Sequence, residues 1–72
     1  MDWLRASAEA IKSEDGRYAV CRIVTGGRAI YEAWRTREHA KGPSLIATGL
    51  HTADEARARC LDDALTAAAV QP

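Results

Sequence analysis

The sequence predicts an α+β fold with the element order αβββα, in which two helices pack on one face of a three-stranded antiparallel sheet. Three observations lead to this prediction. Apolar residues recur at helical spacing near the start, β-branched and aromatic residues surround a Gly-Gly pair in the middle, and an alanine-rich stretch with helical spacing lies near the end. Because 72 residues cannot be divided into two cores, residues 1–72 are predicted to form a single domain.

The first helix is predicted over about residues 3–13. Asp2 is a suitable N-cap, and Gly16 suits the left-handed conformation that often ends a helical segment. The apolar residues of the segment fall near one another on a helical surface: Trp3, Leu4, Ala8 and Ile11.

A β-hairpin is predicted over about residues 17–36, because YAVCRIV and RAIYEAWRT flank Gly26-Gly27. Counting outward from this two-residue turn gives the register, in which the cross-strand pairs are Thr25 with Arg28, Ile23 with Ile30, Cys21 with Glu32, and Ala19 with Trp34. Both faces of the hairpin mix apolar and charged side chains, so the sequence does not decide which face meets the helices.

Residues 37–43 are polar, end in Gly-Pro and are predicted to form a flexible loop, followed by a third strand over about residues 44–49. The second helix is predicted over about residues 53–69, with Thr52 as N-cap and Glu55 at the capping-box position. Its apolar stripe comprises Ala53, Ala56, Cys60, Leu61, Ala64, Leu65 and Ala68.

This order of elements resembles the double-stranded RNA-binding fold, which implies two helices on one sheet face. That family grips phosphates with lysines at the start of its second helix, whereas the matching stretch TADEARAR begins with Asp54 and Glu55. Carboxylates there favour the helix dipole but repel a nucleic-acid backbone. The resemblance therefore implies the topology without the RNA-binding activity.

Net charge is zero, so overall composition gives no sign of a nucleic-acid or membrane binder. The charges are unevenly distributed, since residues 17–41 carry six basic and two acidic side chains while both flanking segments are acidic. No signal-peptide pattern and no apolar run long enough to span a membrane is present, and we expect a cytoplasmic protein.

Neither catalysis nor metal or cofactor binding is predicted. Cys21 and Cys60 lie far apart and are interpreted as small structural hydrophobes, although a disulfide between them remains an alternative. Together with His39 and His51 they have the residue types of a zinc site or a nucleophilic centre, but not the spacing.

The hairpin is the predicted partner-binding surface, because arginine with tyrosine and tryptophan is typical of protein-interface hot spots and of surfaces on which bases stack. The competing interpretation is that the aromatic residues form the core and the arginines only solubilise its edge. The arginines are expected to be exposed, so charge reversal at three of them should leave the chain folded. The predicted site residues are Arg17, Arg22, Arg28, Tyr31, Trp34, Arg35 and Arg37.

A second resemblance covers residues 17–61, where the aromatic hairpin, YEAW, the glycine-containing third strand and TADEARARC are similar to small accessory proteins of phages and prophages. This resemblance implies a non-enzymatic inhibitor, such as the anti-CRISPR proteins, that occupies a site on a larger host protein or ribonucleoprotein complex. The alternative function is a nucleic-acid-binding module that uses the same hairpin. Whether the chain also forms a homodimer is left open by the sequence.

Overall fold

The computed structural model describes residues 2–36 and 42–70, which form five strands followed by one helix. The elements are β1 (Trp3–Ser7), β2 (Ala10–Ser13), β3 (Tyr18–Thr25), β4 (Arg28–Arg35), β5 (Ser44–Leu50) and α1 (Ala53–Val70). The strands pair antiparallel in the order β1-β2-β3-β4-β5. The predicted αβββα order is therefore wrong, and the order on which the resemblance to the double-stranded RNA-binding fold rested is not that of this chain.

The predicted helix over residues 3–13 is instead the hairpin of β1 and β2. Its residues are good helix formers, but β2 pairs with β3, placing Ile11 opposite Val20 and Lys12 opposite Ala19. Ala19 and Val20 of β3 are buried, so their backbone N–H and C=O groups need hydrogen-bond partners. Without β2, this edge of β3 would be unpaired. Sheet pairing between distant segments thus overrides the local helical preference.

A buried corner holds the second hairpin in place. The Oγ atom of Ser13, which is only 2% exposed, accepts a hydrogen bond from the backbone N–H of Tyr18 at 3.0 Å and donates one to Asp15 Oδ1 at 2.6 Å. Gly16 follows with φ of +76°, so the left-handed conformation predicted there is present, although it closes a strand-to-strand turn. This corner fixes where β3 begins.

The hairpin of β3 and β4 is confirmed. Gly26 and Gly27 have φ values of +57° and +77°, as the predicted two-residue turn requires. The observed register contains all four predicted pairs, from Thr25 opposite Arg28 to Ala19 opposite Trp34. Of the loop predicted at residues 37–43, residues 37–41 lie outside the described part of the chain. The predicted third strand corresponds to β5, which pairs with β4.

Helix α1 lies across β3, β4 and β5 on one face of the sheet. It contributes Ala56 and Cys60, both fully buried, to a core completed by the sheet residues Tyr18, Val20, Ala33 and Leu50. Two residues of the predicted apolar stripe do not pack on the sheet, since Leu61 is 46% and Leu65 is 61% exposed. Ala56, Cys60 and Ala64 form the contact stripe, and the side chain of Ala68 lies outside the described part.

The hydroxyl of Thr52 accepts a hydrogen bond from the backbone N–H of Glu55 at 3.1 Å, which confirms it as the N-cap. The Glu55 carboxylate in turn accepts a bond from the backbone N–H of His51 at 3.4 Å. Asp54 and Glu55 place negative charge in the first turn, where the helix dipole favours it.

We predict that Thr52→Ala lowers the free energy of unfolding by about 1 kcal/mol, because the Glu55 N–H loses its acceptor. Chemical denaturation measures this change. Thr66→Ala is the matched control, since Thr66 is an exposed residue within α1 and alanine has the higher helix propensity there. Equal midpoints for Thr52→Ala and the wild type would contradict the assigned cap.

Candidate partner-binding groove

The sheet separates the residues predicted to form one binding surface. Strand alternation places Arg22, Tyr31 and Arg35 on the face that carries α1, and Arg28 and Trp34 on the opposite face. Arg17 is exposed just before β3, and Arg37 lies outside the described residues. The structure therefore brings together only part of the predicted site.

Arg35 has a structural position that the sequence did not predict. Its Nε donates to Asp63 Oδ2 at 3.1 Å and its Nη2 to Asp63 Oδ1 at 2.6 Å, a bidentate pair that joins β4 to α1. The hydroxyl of Tyr18 donates to Asp63 Oδ2 at 2.8 Å. The expectation that the hairpin arginines are exposed is therefore wrong for Arg35, whose side chain is 33% exposed, and charge reversal there would leave Asp63 without its charged partner. Asp63 holds the helix to the sheet.

The same contacts shift the pKa values of the two acids. Hydrogen bonds from Arg35 hold the pKa of Asp63 below its usual range, against an opposing effect of burial. Burial and the bond to Asp63 raise the pKa of Tyr18 to about 12. Both shifts favour the protonation states present at neutral pH, in which an ionised Asp63 accepts from a neutral Tyr18.

The helix leaves β1 and β2 uncovered, and this creates a groove on its face of the sheet. The cavity has a volume of about 270 Å³. Its floor is apolar, from Ile11, Val20 and the ring of Tyr31, and Ala53 at the start of α1 forms one wall. The turn after β1 closes the opposite side with Ser7, Ala8 and Glu9. The groove is open to solvent rather than enclosed.

Three arginines surround the groove, one each from β1, β3 and α1: Arg5, Arg22 and Arg57. Glu9 is the one carboxylate among the lining residues, and it lies 3.7 Å from the guanidinium of Arg22 with both side chains about half exposed. Arg57 pairs with Asp54, whose side chain is almost fully exposed. Exposed ion pairs of this kind are weak, so both arginines can exchange partners for an incoming carboxylate.

Arg22 and Tyr31 were predicted from the sequence, whereas Arg5 and Arg57 were not. Arg5 lies in the segment predicted to be a helix but found to be β1, and Arg57 lies outside the apolar stripe of α1. The segment from Trp3 to Ser7 has no strict alternation of apolar and polar residues that would indicate a strand, so its sequence contained no clear signal that Arg5 lies on a sheet face.

The two cysteines are free and lie on different sides of the sheet, Cys60 on the side of α1 that packs into the core and Cys21 on the opposite face of the sheet. Burial raises the pKa of the Cys60 thiol to about 11, and burial together with nearby Glu32 raises that of Cys21. Thiols in these surroundings are weak nucleophiles.

Within residues 2–36 and 42–70, no three metal-ligating side chains cluster, and His39 lies outside these ranges. The described helix is too polar to cross a membrane.

Comparisons of the chain with protein-family models, curated proteins and solved structures found no match.

We predict that Tyr18→Phe lowers the free energy of unfolding at pH 7 by roughly 1.5–3 kcal/mol, because a hydrogen bond to a charged acceptor is lost. Tyr31→Phe is the matched control and should change it far less, since the Tyr31 hydroxyl makes no hydrogen bond to a described residue. Denaturant titration of both variants makes the comparison. Equal losses in the two variants would contradict the role assigned to Tyr18.

The pKa shifts also predict how stability depends on pH. Tyr18 is raised from 10.0 to about 12 in the folded chain, so its contribution is fully present below pH 10 and is lost between pH 10 and 12. Asp63 is shifted below 3.8, so its contribution is present above pH 3.8 and is lost as pH falls through the lower, folded value. Unfolding free energies measured across pH should show that the alkaline loss is reduced in Tyr18→Phe. A loss of the same size in that variant would contradict the shift.

Proposed function

We propose that this protein is a non-enzymatic binding module that holds an acidic segment of a larger protein in the groove between β1, β2 and the start of α1. The observation that supports this most is the convergence of Arg5, Arg22 and Arg57 around an apolar floor that includes Tyr31. Arginine with tyrosine is the composition of interface hot spots, and guanidinium groups bind carboxylates in a bidentate manner.

Charge favours a protein partner over a nucleic acid. The whole chain is neutral, and the carboxylates of Asp54 and Glu55 lie in the first turn of α1, close in sequence to Arg57. The evenly spaced phosphates of a nucleic acid would be repelled by these carboxylates, whereas a protein segment can present its acidic side chains only where the arginines lie. The mixture of positive and negative charges therefore favours a protein partner.

The class of partner is proposed from the sequence resemblance. The similarity of residues 17–61 to small phage and prophage accessory proteins favours an anti-CRISPR type of inhibitor that occupies a site on a host defence complex in the cytoplasm. A module of 72 residues with an open groove can act by occupancy alone, because covering a site on a larger complex needs no chemistry.

The alternative function is nucleic-acid binding by the same groove, in which the arginines contact phosphates and Tyr31 stacks on a base. Tyr31 and Arg22 line the same groove, and this arrangement supports nucleic-acid binding as much as it supports protein binding. The two differ in salt dependence, because phosphate contacts release counterions and lose affinity steeply as salt rises.

The test is affinity capture from bacterial lysate with the wild type and with a variant that combines Arg5→Gln, Arg22→Gln and Arg57→Gln. We expect the wild type to enrich one protein complex and the variant to lose at least about thirtyfold in affinity, since a single hot-spot arginine typically contributes about 2 kcal/mol or more. Calorimetric titration with the captured partner gives the number.

The matched control combines Arg17→Gln, Arg28→Gln and Arg59→Gln, which removes the same charge from three exposed arginines that do not line the groove. It should bind within about threefold of the wild type, as expected for charges outside the contact. Equal losses in the two triple variants would show a general charge effect and contradict a specific groove. Capture of bare DNA or RNA, with affinity falling steeply between low and high salt, would favour the alternative.

A further inference from the structure

We infer that a second copy of this chain packs on the sheet face opposite α1, so that two sheets form a face-to-face sandwich. This face, here called the open face, carries apolar side chains on every strand: Leu4, Ala10, Ala19, Ile23, Trp34 and Leu45. Among the described residues no helix or strand covers it, and Leu4 and Leu45 are 56% and 47% exposed. The inference is independent of the groove, which lies on the other face.

The open face offers matching apolar positions to a copy related by a two-fold axis. A hollow of about 430 Å³ lies beside Trp34, with Lys12, Ala19 and Cys21 on its floor. In the row of cross-strand neighbours that contains Lys12 and Trp34, Leu4 lies beside Lys12 at one end and Leu45 lies beside Trp34 at the other. A two-fold axis along β3 therefore sets Leu4 of each copy against Leu45 of the other. The small Ala19 at the centre allows the sheets to approach closely.

The charges on this face are complementary in the same arrangement. Lys12 lies on β2 and Glu32 on β4, to either side of β3. Glu32 is held in place by hydrogen bonds from Trp34 Nε1 at 3.1 Å and Thr48 Oγ1 at 2.8 Å, but no described cation pairs with it. The two-fold axis sets Lys12 of each copy over Trp34 of the other, two residues along β4 from Glu32. This offset of about 7 Å is within reach of the lysine side chain, so Lys12 can pair with Glu32 of the other copy, and an isologous interface makes this pair twice.

The area is sufficient for a reversible dimer. The five strands contain 32 residues, each of which occupies about 16 Å² of the sheet at a strand spacing of about 4.8 Å and a rise of about 3.3 Å per residue. Two such faces in contact remove about 1,000 Å² from solvent in total, near the lower bound for a specific interface. Self-association would stabilise the fold, because the core of the monomer contains few large side chains and small domains commonly gain stability by oligomerisation.

Sedimentation velocity of the full chain, over about 1 µM to 1 mM, tests this, since a small interface predicts a dissociation constant within that range. We expect a monomer–dimer equilibrium for the wild type. Lys12→Glu and Glu32→Lys should each weaken self-association about tenfold or more, because each creates two like-charge contacts. An equimolar mixture of these two variants should associate with wild-type strength, because the heterodimer restores an opposite-charge pair at both contacts.

Leu4→Glu combined with Leu45→Glu gives a second, independent disruption at exposed positions, and circular dichroism verifies that it is folded. Its matched control is Leu61→Glu with Leu65→Glu, which makes the same change to exposed leucines of α1 and should leave the dimer intact. A wild type that stays monomeric up to about 1 mM would overturn the inference. The inference would also be overturned if the mixture of Lys12→Glu and Glu32→Lys associated no more strongly than either variant alone. The same holds if the α1 control lost the dimer while the double leucine variant of the open face kept it.

Discussion

The bidentate pair between Arg35 and Asp63, with Tyr18 bonded to the same carboxylate, sets the position of the helix on the sheet. The side chain of Asp63 is only 19% exposed, so removal of either partner would leave a charge largely shielded from water. The small residues Ala56 and Cys60 on the inner side of the helix allow it to lie close to the sheet, but their packing does little to fix its direction. The polar contacts fix that direction, because hydrogen bonds require a defined geometry.

The groove and the open face both follow from where the helix lies. Fixed over β3 to β5, α1 covers three of five strands on one face and none on the other. The uncovered part of the first face receives Arg5 and Arg22 from the sheet and Arg57 from the helix, which gives a charged groove. The second face keeps Trp34 and the exposed leucines. One chain thus presents a groove surrounded by three arginines on one face of the sheet and exposed apolar side chains on the other.

How much the sequence could predict varies along the chain. The β3–β4 hairpin and its register were predicted correctly because Gly26-Gly27 is a local signal that acts on its immediate neighbours. The Thr52 cap was predicted for the same reason. The first segment was misassigned because its strand state depends on pairing with β3, a contact between distant parts of the chain that local propensity does not contain. The residues predicted to form one binding surface lie on two faces for a related reason, since the sequence alone did not decide which face of the hairpin would meet the helix.

The central claim is that the groove recognises carboxylates, and a titration of isotope-labelled protein with a short oligoglutamate peptide, followed by amide chemical shifts, tests it most directly. We expect the shift changes to concentrate in β1, in the turn before β2 and at the start of α1, around Arg5, Glu9 and Arg57. Changes centred on the exposed Arg17 and Arg28, or spread evenly over all arginines, would show that charge alone attracts the peptide and would contradict a built site.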